Sequence, residues 1–191
     1  MTNFNIDDTV FLLVDHQVGT NKWAVTTPLE TLERNAIILA KFAKGTGIPV
    51  VLTSSQETNF QGPIMPAFEH AIPEAFAERV RREGIVNAWD EPAFQKAVRA
   101  TGRQNLVLAG VTTEVCAAPA AISAREAGFD VKVVVDACGS PSQLAEEIAW
   151  RRLEQADVGL TTTTAILSEL ARDWSEPAGA LARSLLASQR A

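Results

Sequence analysis

Cys116 is the residue of this sequence with the clearest potential for chemistry. It lies in the segment AGVTTEVC, and the apolar run NLVLAG (105–110) that overlaps this segment predicts a buried strand. Cys116 is therefore expected in the first turn of the following helix. Free N–H groups and the helix dipole stabilise a thiolate there and lower the thiol pKa below about 8.5. This placement indicates a nucleophile, although a cysteine taken alone is more often a small buried residue.

Asp15 is the group expected to accept the proton of this thiol. The sequence contains two histidines, His16 and His70, which limits any mechanism that needs a histidine base. Asp15 directly follows the apolar run VFLLV (10–14). Because side chains alternate along a strand, His16 is expected to face the other way and to be structural. An aspartate at a strand end also commonly caps a turn, and that role stays open for Asp15.

A cation near both groups would keep the carboxylate and the thiolate ionised at neutral pH. Arg79, Arg81 and Arg82 form the one basic cluster of the sequence. Such a cluster is usually a solvated face, so at most one or two of these side chains are expected to point into a site.

The elements that position these residues alternate between strands and helices. The apolar runs VFLLV, PVVLT, NLVLAG, VKVVVDA and DVGLTTT indicate strands covered on both faces, and 79–82 is a weaker edge strand. Helical patterns such as PLETLERNAIILAKFAKGTG and SQLAEEIAWRRLEQA separate them. This alternation predicts an α/β fold, a Rossmann-like three-layer α/β/α sandwich with a six-stranded parallel sheet. Ligands bind beyond the carboxyl ends of the strands in such sheets.

Length and composition predict a single soluble domain. The chain has 191 residues, of which 47% are hydrophobic and 21% charged. We assign residues 1–175 to the domain and 176–191 to a helical tail that docks on a neighbouring chain. Residues 54–74 contain three prolines and no clear period, and they are interpreted as a long loop that contributes to a site.

Charge and composition also exclude several classes of function. The net charge of -6 and the scattered basic residues argue against binding to nucleic acid or to an acidic membrane. Two cysteines provide neither a disulfide framework nor a zinc site, so no metal and no cofactor is expected. The start of the sequence lacks the basic and apolar regions of a signal peptide, which predicts a cytoplasmic protein.

Several motifs together resemble the isochorismatase-like cysteine hydrolase superfamily, most closely its YcaC-related branch. They are FLLVDHQ, VVLTSSQE, VNAWDEPAF, LVLAGVTTEVCAAPAAISAREAGFDVKVVVDACG and AWRRLEQADVGLTTT. The resemblance extends from about residue 9 to residue 174. It implies the isochorismatase-like hydrolase fold, with six parallel strands between two layers of helices.

The resemblance also implies roles for individual residues. The family uses an Asp/Lys/Cys triad, which places the nucleophile on Cys116 and the general acid and base on Asp15. It implies a cis peptide bond between Val111 and Thr112, with the N–H groups of Thr112 and Cys116 facing the oxyanion. Arg82 occupies the position that matches the family lysine. Because a guanidinium stays protonated, Arg82 is interpreted as an electrostatic partner that transfers no proton.

The implied reaction is hydrolysis of a small amide, ureide or related C–N substrate through a covalent cysteine intermediate. The residues assigned to the substrate pocket are Gln17, Glu57, Asn59, Asn87 and Trp89. The stretch SSQETNFQGP lacks the histidine of the nicotinamidase metal set, so neither that metal nor nicotinamide as substrate is expected. The resemblance further implies a homo-oligomer built from dimers, up to an octamer.

Two other classes of function stay open. Cys116 could be a redox or sensing thiol that is oxidised reversibly. Alternatively, the arginine in place of the family lysine could mark a catalytically silent protein that is kept for its oligomeric assembly.

Overall fold

The structure, a computed structural model, describes residues 3–188 and contains one sheet of six parallel strands. The order across the sheet is β3-β2-β1-β4-β5-β6, so the chain starts in the middle and changes direction after β3. This topology confirms the parallel sheet predicted from the sequence, with the weak arginine-rich strand at an edge. The strands are β1 Thr9–Val14, β2 Val50–Ser55, β3 Val80–Arg82, β4 Asn105–Gly110, β5 Asp130–Val134 and β6 Gly159–Thr161.

Helices cover both faces of this sheet. Because parallel crossovers are right-handed, the connections from β1 to β3 lie on one face and those from β4 to β6 on the other. The helix α2 packs against α3, α8 and α9, whereas α6 packs against α7. This confirms the three-layer sandwich. Between residues 3 and 188 the α-helices are α1 Val18–Trp23, α2 Leu29–Thr46, α3 Ala67–Ala71, α4 Pro73–Ala77, α5 Pro92–Ala100, α6 Ala118–Glu126, α7 Gln143–Gln155, α8 Thr163–Ala171 and α9 Pro177–Ala187.

None of these helices, in the part of the chain that the structure describes, is long and apolar enough to cross a lipid bilayer.

The central strands β1 and β4 bring distant parts of the sequence to one point. Both strands are buried along their whole length, as the apolar runs predicted. Their register pairs Val14 with Gly110, the last residue of each strand. The residues that follow, Asp15 and the segment 111–116, therefore start from the same end of the sheet.

Three segments differ from the sequence interpretation. The loop predicted for 54–74 contains α3 and the first turn of α4. The short helix α1 was missed because its sequence, VGTNKW, is largely polar. The helix α8 was missed because its first residues continue the threonine run that predicted a strand to residue 163. The side chain of Thr162 ends that strand by accepting a hydrogen bond from the Ala165 N–H at 3.3 Å, which caps α8.

The C-terminal segment forms a helix, and this helix contacts other helices of its own chain. The helix α9 packs against α2 and α8, with Ala182 buried, and Gly179 lies against the backbone of Asp173 and Trp174. The small residues allow close approach, and Leu181 lies against Gly45 of α2. The part of the tail at 189–191 lies outside the described residues.

Candidate active site

Asp15 follows β1 directly and turns the chain away from the sheet. Its backbone is left-handed, with φ 56°, a conformation that aspartate and asparagine adopt more readily than most residues. Its N–H donates to the carbonyl of Thr53 at 3.0 Å and so continues the contact between β1 and β2. The residue is only 2% exposed. The carboxylate is thus held inside the protein at the carboxyl end of the sheet.

Arg82, the last residue of β3, is the partner of this carboxylate. Its Nη2 group donates to both carboxylate oxygens of Asp15. Nη1 donates to the carbonyl oxygens of Ile85 and Val86, the latter at 2.9 Å. Nε donates to the Thr53 hydroxyl at 3.1 Å. The fork of the guanidinium is therefore fully used, as a buried cation requires.

Burial and the neighbouring Arg82 shift the pKa of the Asp15 carboxyl group in opposite directions. Burial raises the pKa of Asp15 above its ordinary value, and Arg82 opposes this through its charge and its hydrogen bonds. A carboxylate with a raised pKa is a stronger base than an exposed one. Asp15 is thus suited to accept and return a proton while Arg82 stabilises its ionised form.

Cys116 lies next to the pair formed by Asp15 and Arg82. It lies in a π-helical turn, Thr113–Ala117, that leads into α6. The peptide bond between Val111 and Thr112 is cis, at the position where the family resemblance implies it. The Cys116 thiol lies within hydrogen-bonding reach of the Asp15 carboxylate. The structure therefore places Asp15 between Cys116 and Arg82, next to both.

The thiol is not the acidified group that its helix position suggested. Burial, followed by the negative charge of Asp15, raises the pKa of Cys116 well above its ordinary value, while Arg82 and the Thr112 N–H oppose the shift. The expectation of a lowered pKa is wrong because desolvation exceeds the effect of the helix terminus. The Cys116 N–H also donates to the Thr112 carbonyl at 2.9 Å, so this predicted oxyanion donor is already engaged.

A pocket of about 170 Å³ opens above these groups. Asp15, Arg82, Cys116 and Thr112 line it, so the sulfur, the base, the cation and the residue after the cis bond share one cavity. A cavity of this size admits a small molecule and excludes a folded chain. Cys116 is partly exposed as a residue, and it lines this pocket.

Gln17 lines the pocket as predicted, but its polar atoms form hydrogen bonds with backbone groups of the protein. Its amide nitrogen donates to the carbonyl oxygens of Ser55 and Gly62, at 2.8 and 2.5 Å. Its amide oxygen accepts the Ser55 N–H at 2.8 Å. Gln17 therefore ties the end of β2 to the loop that follows, and it positions the wall of the pocket.

The other four residues assigned to the pocket lie outside its lining. Glu57 binds Arg79 through both carboxylate oxygens, at 2.7 and 3.1 Å. Asn59 is exposed, and Asn87 caps a 3-10 turn by accepting the Trp89 N–H at 3.0 Å. Trp89 is buried in the core against two phenylalanines. We therefore remove these four residues from the candidate site.

Residues that the sequence analysis did not select take their place. The helix α1 contributes Thr20 and Trp23, and the loop after β2 contributes Phe60 and Gln61. Trp23 and Phe60 form an edge-to-face pair at the mouth, with ring centroids 6.0 Å apart. Thr20 and Trp23 are three residues apart, which puts them on one face of a helix. This spacing would have indicated that Thr20 and Trp23 face the same way, but only if α1 had been predicted.

The remaining histidine and cysteine candidates are structural. His16 is buried, its Nε2 lies 2.9 Å from the Ala137 carbonyl, and burial lowers its pKa to about 4. The Cys138 sulfur accepts the Gly110 N–H at 3.3 Å, and burial raises its pKa to about 12. Neither side chain lines the pocket, and for His16 this agrees with the structural role expected from the sequence. Within residues 3–188, no three His, Cys, Asp or Glu side chains are grouped so as to hold a metal ion.

Sequence comparison identifies the class to which this fold and site belong. The model of the isochorismatase domain matches residues 9–165, and the chain belongs to the isochorismatase family of hydrolases. It is 42% identical over 168 residues to "Probable hydrolase YcaC" of Escherichia coli, covering 88% of this chain and 80% of that protein. It is 30% identical to isochorismatase domain-containing protein 2A of Mus musculus, covering 73% of this chain and 64% of that protein.

Solved structures of YcaC proteins match nearly the whole chain. The Escherichia coli protein, an octameric hydrolase of unknown specificity, superposes with a TM-score of 0.90 at 38% identity, covering 100% of this chain and 97% of that one. YcaC from Pseudomonas aeruginosa, solved with hexane-2,5-diol and covalent acrylamide, also gives a TM-score of 0.90, at 34% identity. It covers 100% of this chain and 98% of that one.

Proposed function

We propose that this protein is a cysteine-dependent hydrolase that cleaves a C–N bond in a small amide, ureide or related substrate. The observation that carries the proposal is the contact of the Cys116 thiol with the Asp15 carboxylate, which Arg82 pairs, at the base of a small pocket. A nucleophile within hydrogen-bond reach of a base, and a third group that orients the base, is the arrangement that covalent catalysis needs.

The first half-reaction acylates the enzyme. Asp15 takes the thiol proton as Cys116 Sγ attacks the substrate carbonyl carbon, and the carbonyl electron pair moves to oxygen. The Thr112 N–H, which faces the sulfur, stabilises this oxyanion. When the intermediate collapses, the C–N bond breaks and Asp15 returns its proton to the leaving nitrogen. The products of this half-reaction are the free amine and a thioester on Cys116.

The second half-reaction restores the enzyme. Asp15 removes a proton from water as the water oxygen attacks the thioester carbon. The C–S bond then breaks and Asp15 returns the proton to the sulfur, which releases the acid. The raised pKa of Cys116 fits this order of steps, because a thiol that does not ionise alone needs a nearby base to take its proton. Arg82 exchanges no proton and keeps the carboxylate ionised between steps.

A finding on a relative supports covalent chemistry in this class. YcaC from Pseudomonas aeruginosa has been solved with covalent acrylamide, so that protein contains a reactive nucleophile. Acrylamide is an electrophilic primary amide, and thiols add to its double bond. Cys116 is the cysteine of this chain that lines the pocket, and we propose it as the corresponding nucleophile here.

The geometry favours hydrolysis over the other two classes. A redox-sensing thiol that ends as a disulfide needs a second cysteine beside it, whereas Cys138 is buried, accepts the Gly110 N–H and lies outside the pocket. A protein that served only for assembly would have no need of a thiol, a base and a cation on one pocket. Arg82 fills the charge-stabilising role completely, so its replacement of the family lysine gives no support to a silent protein.

The test compares the wild type with Cys116→Ala, and uses Cys138 as an internal control. Acrylamide is expected to add one adduct per wild-type chain, on Cys116, and none on Cys116→Ala, as measured by intact mass and peptide mapping. Screening of amides and ureides for ammonia or amine release should find turnover that Cys116→Ala lacks. Turnover in the alanine variant, or a Cys116 as inert as Cys138, would exclude this mechanism.

We also propose that the chain assembles into a homo-oligomer of dimers, up to an octamer. The support is the match over its whole length to the octameric Escherichia coli YcaC. No role for nucleic acid or membrane enters this proposal.

A further inference from the structure

Two hydrogen bonds between side chains hold the π-helical turn that carries Cys116. The Thr113 hydroxyl donates to Glu146 of α7 at 3.1 Å, and the Ser140 hydroxyl donates to Glu114 at 2.6 Å. Thr113 and Glu114 are the first two residues of the turn. None of these four side chains lines the pocket. They can therefore affect the reaction only by fixing the turn, and with it the position of the sulfur.

Glu146 is a buried carboxylate at the contact between α7 and this turn. It is only 5% exposed, and none of the ion pairs found among residues 3–188 includes it. Burial of a carboxylate costs stability unless hydrogen bonds replace the lost water. The fully buried Thr113 supplies such a bond. Buried polar pairs of this kind rigidify their surroundings and select one arrangement of the chain, so this pair fixes the start of the turn.

Ser140 connects the same turn to the wall of the pocket. Its carbonyl oxygen accepts the N–H groups of Val25 and Thr26, at 2.8 and 3.2 Å. Its own N–H donates to the Thr26 hydroxyl at 2.8 Å. Val25 and Thr26 come shortly after α1, the helix that forms part of the pocket wall. Through Ser140, the turn and this wall therefore keep a fixed relative position.

We propose that Glu146 and Ser140 are positioning residues for Cys116. Glu146 acts through Thr113, and Ser140 acts through Glu114, so that the turn keeps the sulfur beside its base. This inference rests on the proposed function, in which that base takes the thiol proton. A proton passes directly only over the length of a hydrogen bond, and a displacement of about 1 Å by a distant change can lower a rate about 100-fold.

The experiment measures the position of the sulfur through the pH profile of its alkylation by iodoacetamide. The charged groups beside Cys116 are Asp15, which with burial raises its pKa, and Arg82, which opposes this shift. Displacement of the turn weakens both burial and the contact with Asp15, so the profile should move to lower pH. Loss of stability alone does not move the profile while the protein stays folded. The buried Cys138, followed in the same samples by mass spectrometry, reports any unfolding.

Thr113→Val removes one hydroxyl at nearly constant volume and should shift the Cys116 profile to lower pH by about one unit. Thr113→Ser restores the hydroxyl and should return the profile to that of the wild type. Ser140→Ala tests the second bond and should shift the profile in the same direction. It leaves the buried Glu146 paired, so it provides the test if Thr113→Val does not fold.

Ser142→Ala is the matched control on α7. Ser142 caps this helix by accepting the Ala145 N–H at 3.2 Å. Its loss weakens the helix but keeps the bond from Thr113 to Glu146. The thermal unfolding midpoint should therefore fall, while the Cys116 profile stays unchanged.

The outcomes separate this inference from the function on which it rests. If acrylamide labels wild-type Cys116 but Thr113→Val and Ser140→Ala both keep the wild-type profile, the inference fails and the proposed function stands. An equal shift in Thr113→Ser and Thr113→Val, or a shift in Ser142→Ala, also overturns the inference. If wild-type Cys116 is as inert as Cys138, both fail together. A shift that Thr113→Ser reverses, with Cys138 unlabelled, supports the role of Glu146, and a shift in Ser140→Ala supports that of Ser140.

Discussion

At the scale of single residues, burial and then the charge of Asp15 explain why the Cys116 thiol is hard to ionise. The carboxylate adds its negative charge to the effect of burial, and both raise the pKa of Cys116. The positive charge of Arg82 acts mainly on the Asp15 carboxylate, because Arg82 donates to both carboxylate oxygens. The thiol is therefore neutral at rest, and Asp15 is the group placed to take its proton.

Replacing the Asp15 carboxylate should therefore make the Cys116 thiol more acidic while it lowers the rate of hydrolysis. We expect Asp15→Asn to lower the pKa of Cys116, because it removes a negative charge and leaves the Arg82 charge free to stabilise a thiolate. The pH profile of iodoacetamide alkylation at Cys116 should shift to lower pH. Hydrolysis of any amide substrate should fall about 100-fold or more, since the proton donor for the leaving nitrogen is lost.

Cys138 provides the control in the same samples, and its alkylation should not change. A profile that moves to higher pH in Asp15→Asn would show that the carboxylate promotes the thiolate. That result would contradict the electrostatics of this site.

His16 should make the stability of the fold sensitive to mild acid. Burial lowers its pKa from 6.5 to about 4, so between these values the unfolded chain binds a proton that the folded protein does not. The free energy of unfolding should therefore decrease as the pH falls through this window, by about 2 kcal/mol between pH 7 and pH 4.5. Above pH 7 this contribution stays constant.

Urea unfolding of the wild type and of His16→Gln at both pH values measures this effect. The glutamine amide can still donate to the Ala137 carbonyl, but it does not titrate. The variant should lose the acid-dependent difference, and equal pH dependence in both proteins would show that His16 is not the group responsible.

The sequence was sufficient to predict the residues that carry the charge and the sulfur, and insufficient for the pocket wall. Asp15 and Cys116 each follow a strongly apolar strand, so their meeting follows from sheet topology. Glu57 seemed equally well placed after β2, but its pairing with Arg79 depends on how β3 folds beside the loop. No local pattern shows that pairing, because the two residues are 22 positions apart.

At the scale of elements, the pocket depends on the contact between α1 and the loop after β2. The Gly19 N–H donates to the Gln61 carbonyl at 2.8 Å. A Cβ on Gly19 would lie 1.9 Å from the Phe60 carbonyl oxygen and 2.9 Å from that of Gln61. Both neighbours are backbone atoms, so no side-chain rotation can make room. Glycine is therefore required for α1 and the loop to close one wall of the pocket.

Gly19→Ala should force these two elements apart. We expect a loss of about 1–3 kcal/mol in the free energy of unfolding, as for other overpacked sites, and a slower reaction of Cys116 with acrylamide. Lys22→Ala, an exposed change on the same helix, is the matched control. If Gly19→Ala behaves like that control in urea unfolding and in labelling, the close contact does not shape the pocket.

The same elements show where sequence patterns lose their power. The strands β1 and β4 were predicted because helices cover both of their faces and every position is apolar. The helix α1 has six residues, too few for an apolar period to be recognised. Its position is set by bonds to the loop, including that from the Val18 N–H to the Pro63 carbonyl at 3.0 Å. Such tertiary bonds decide short helices more than propensity does.

At the scale of the whole molecule, the surface carries apolar side chains that assembly would cover. Leu144 and Ile148, four residues apart on α7, are 68% and 47% exposed. We expect the protein to have a native mass in solution of up to eight times that of one chain, measured by size-exclusion chromatography with light scattering. Cys116→Ala should keep that mass. A monomer at micromolar concentration would contradict the proposed assembly.

The left-handed backbone at Asp15 also limits which residues can replace aspartate at this position. Asparagine tolerates the same backbone, and its codons differ from those of aspartate by one base. A single nucleotide substitution can therefore remove the carboxylate while the bend after β1 remains. Under the proposed mechanism, a gene for such a hydrolase is thus one base change away from a folded paralogue that no longer turns over substrate.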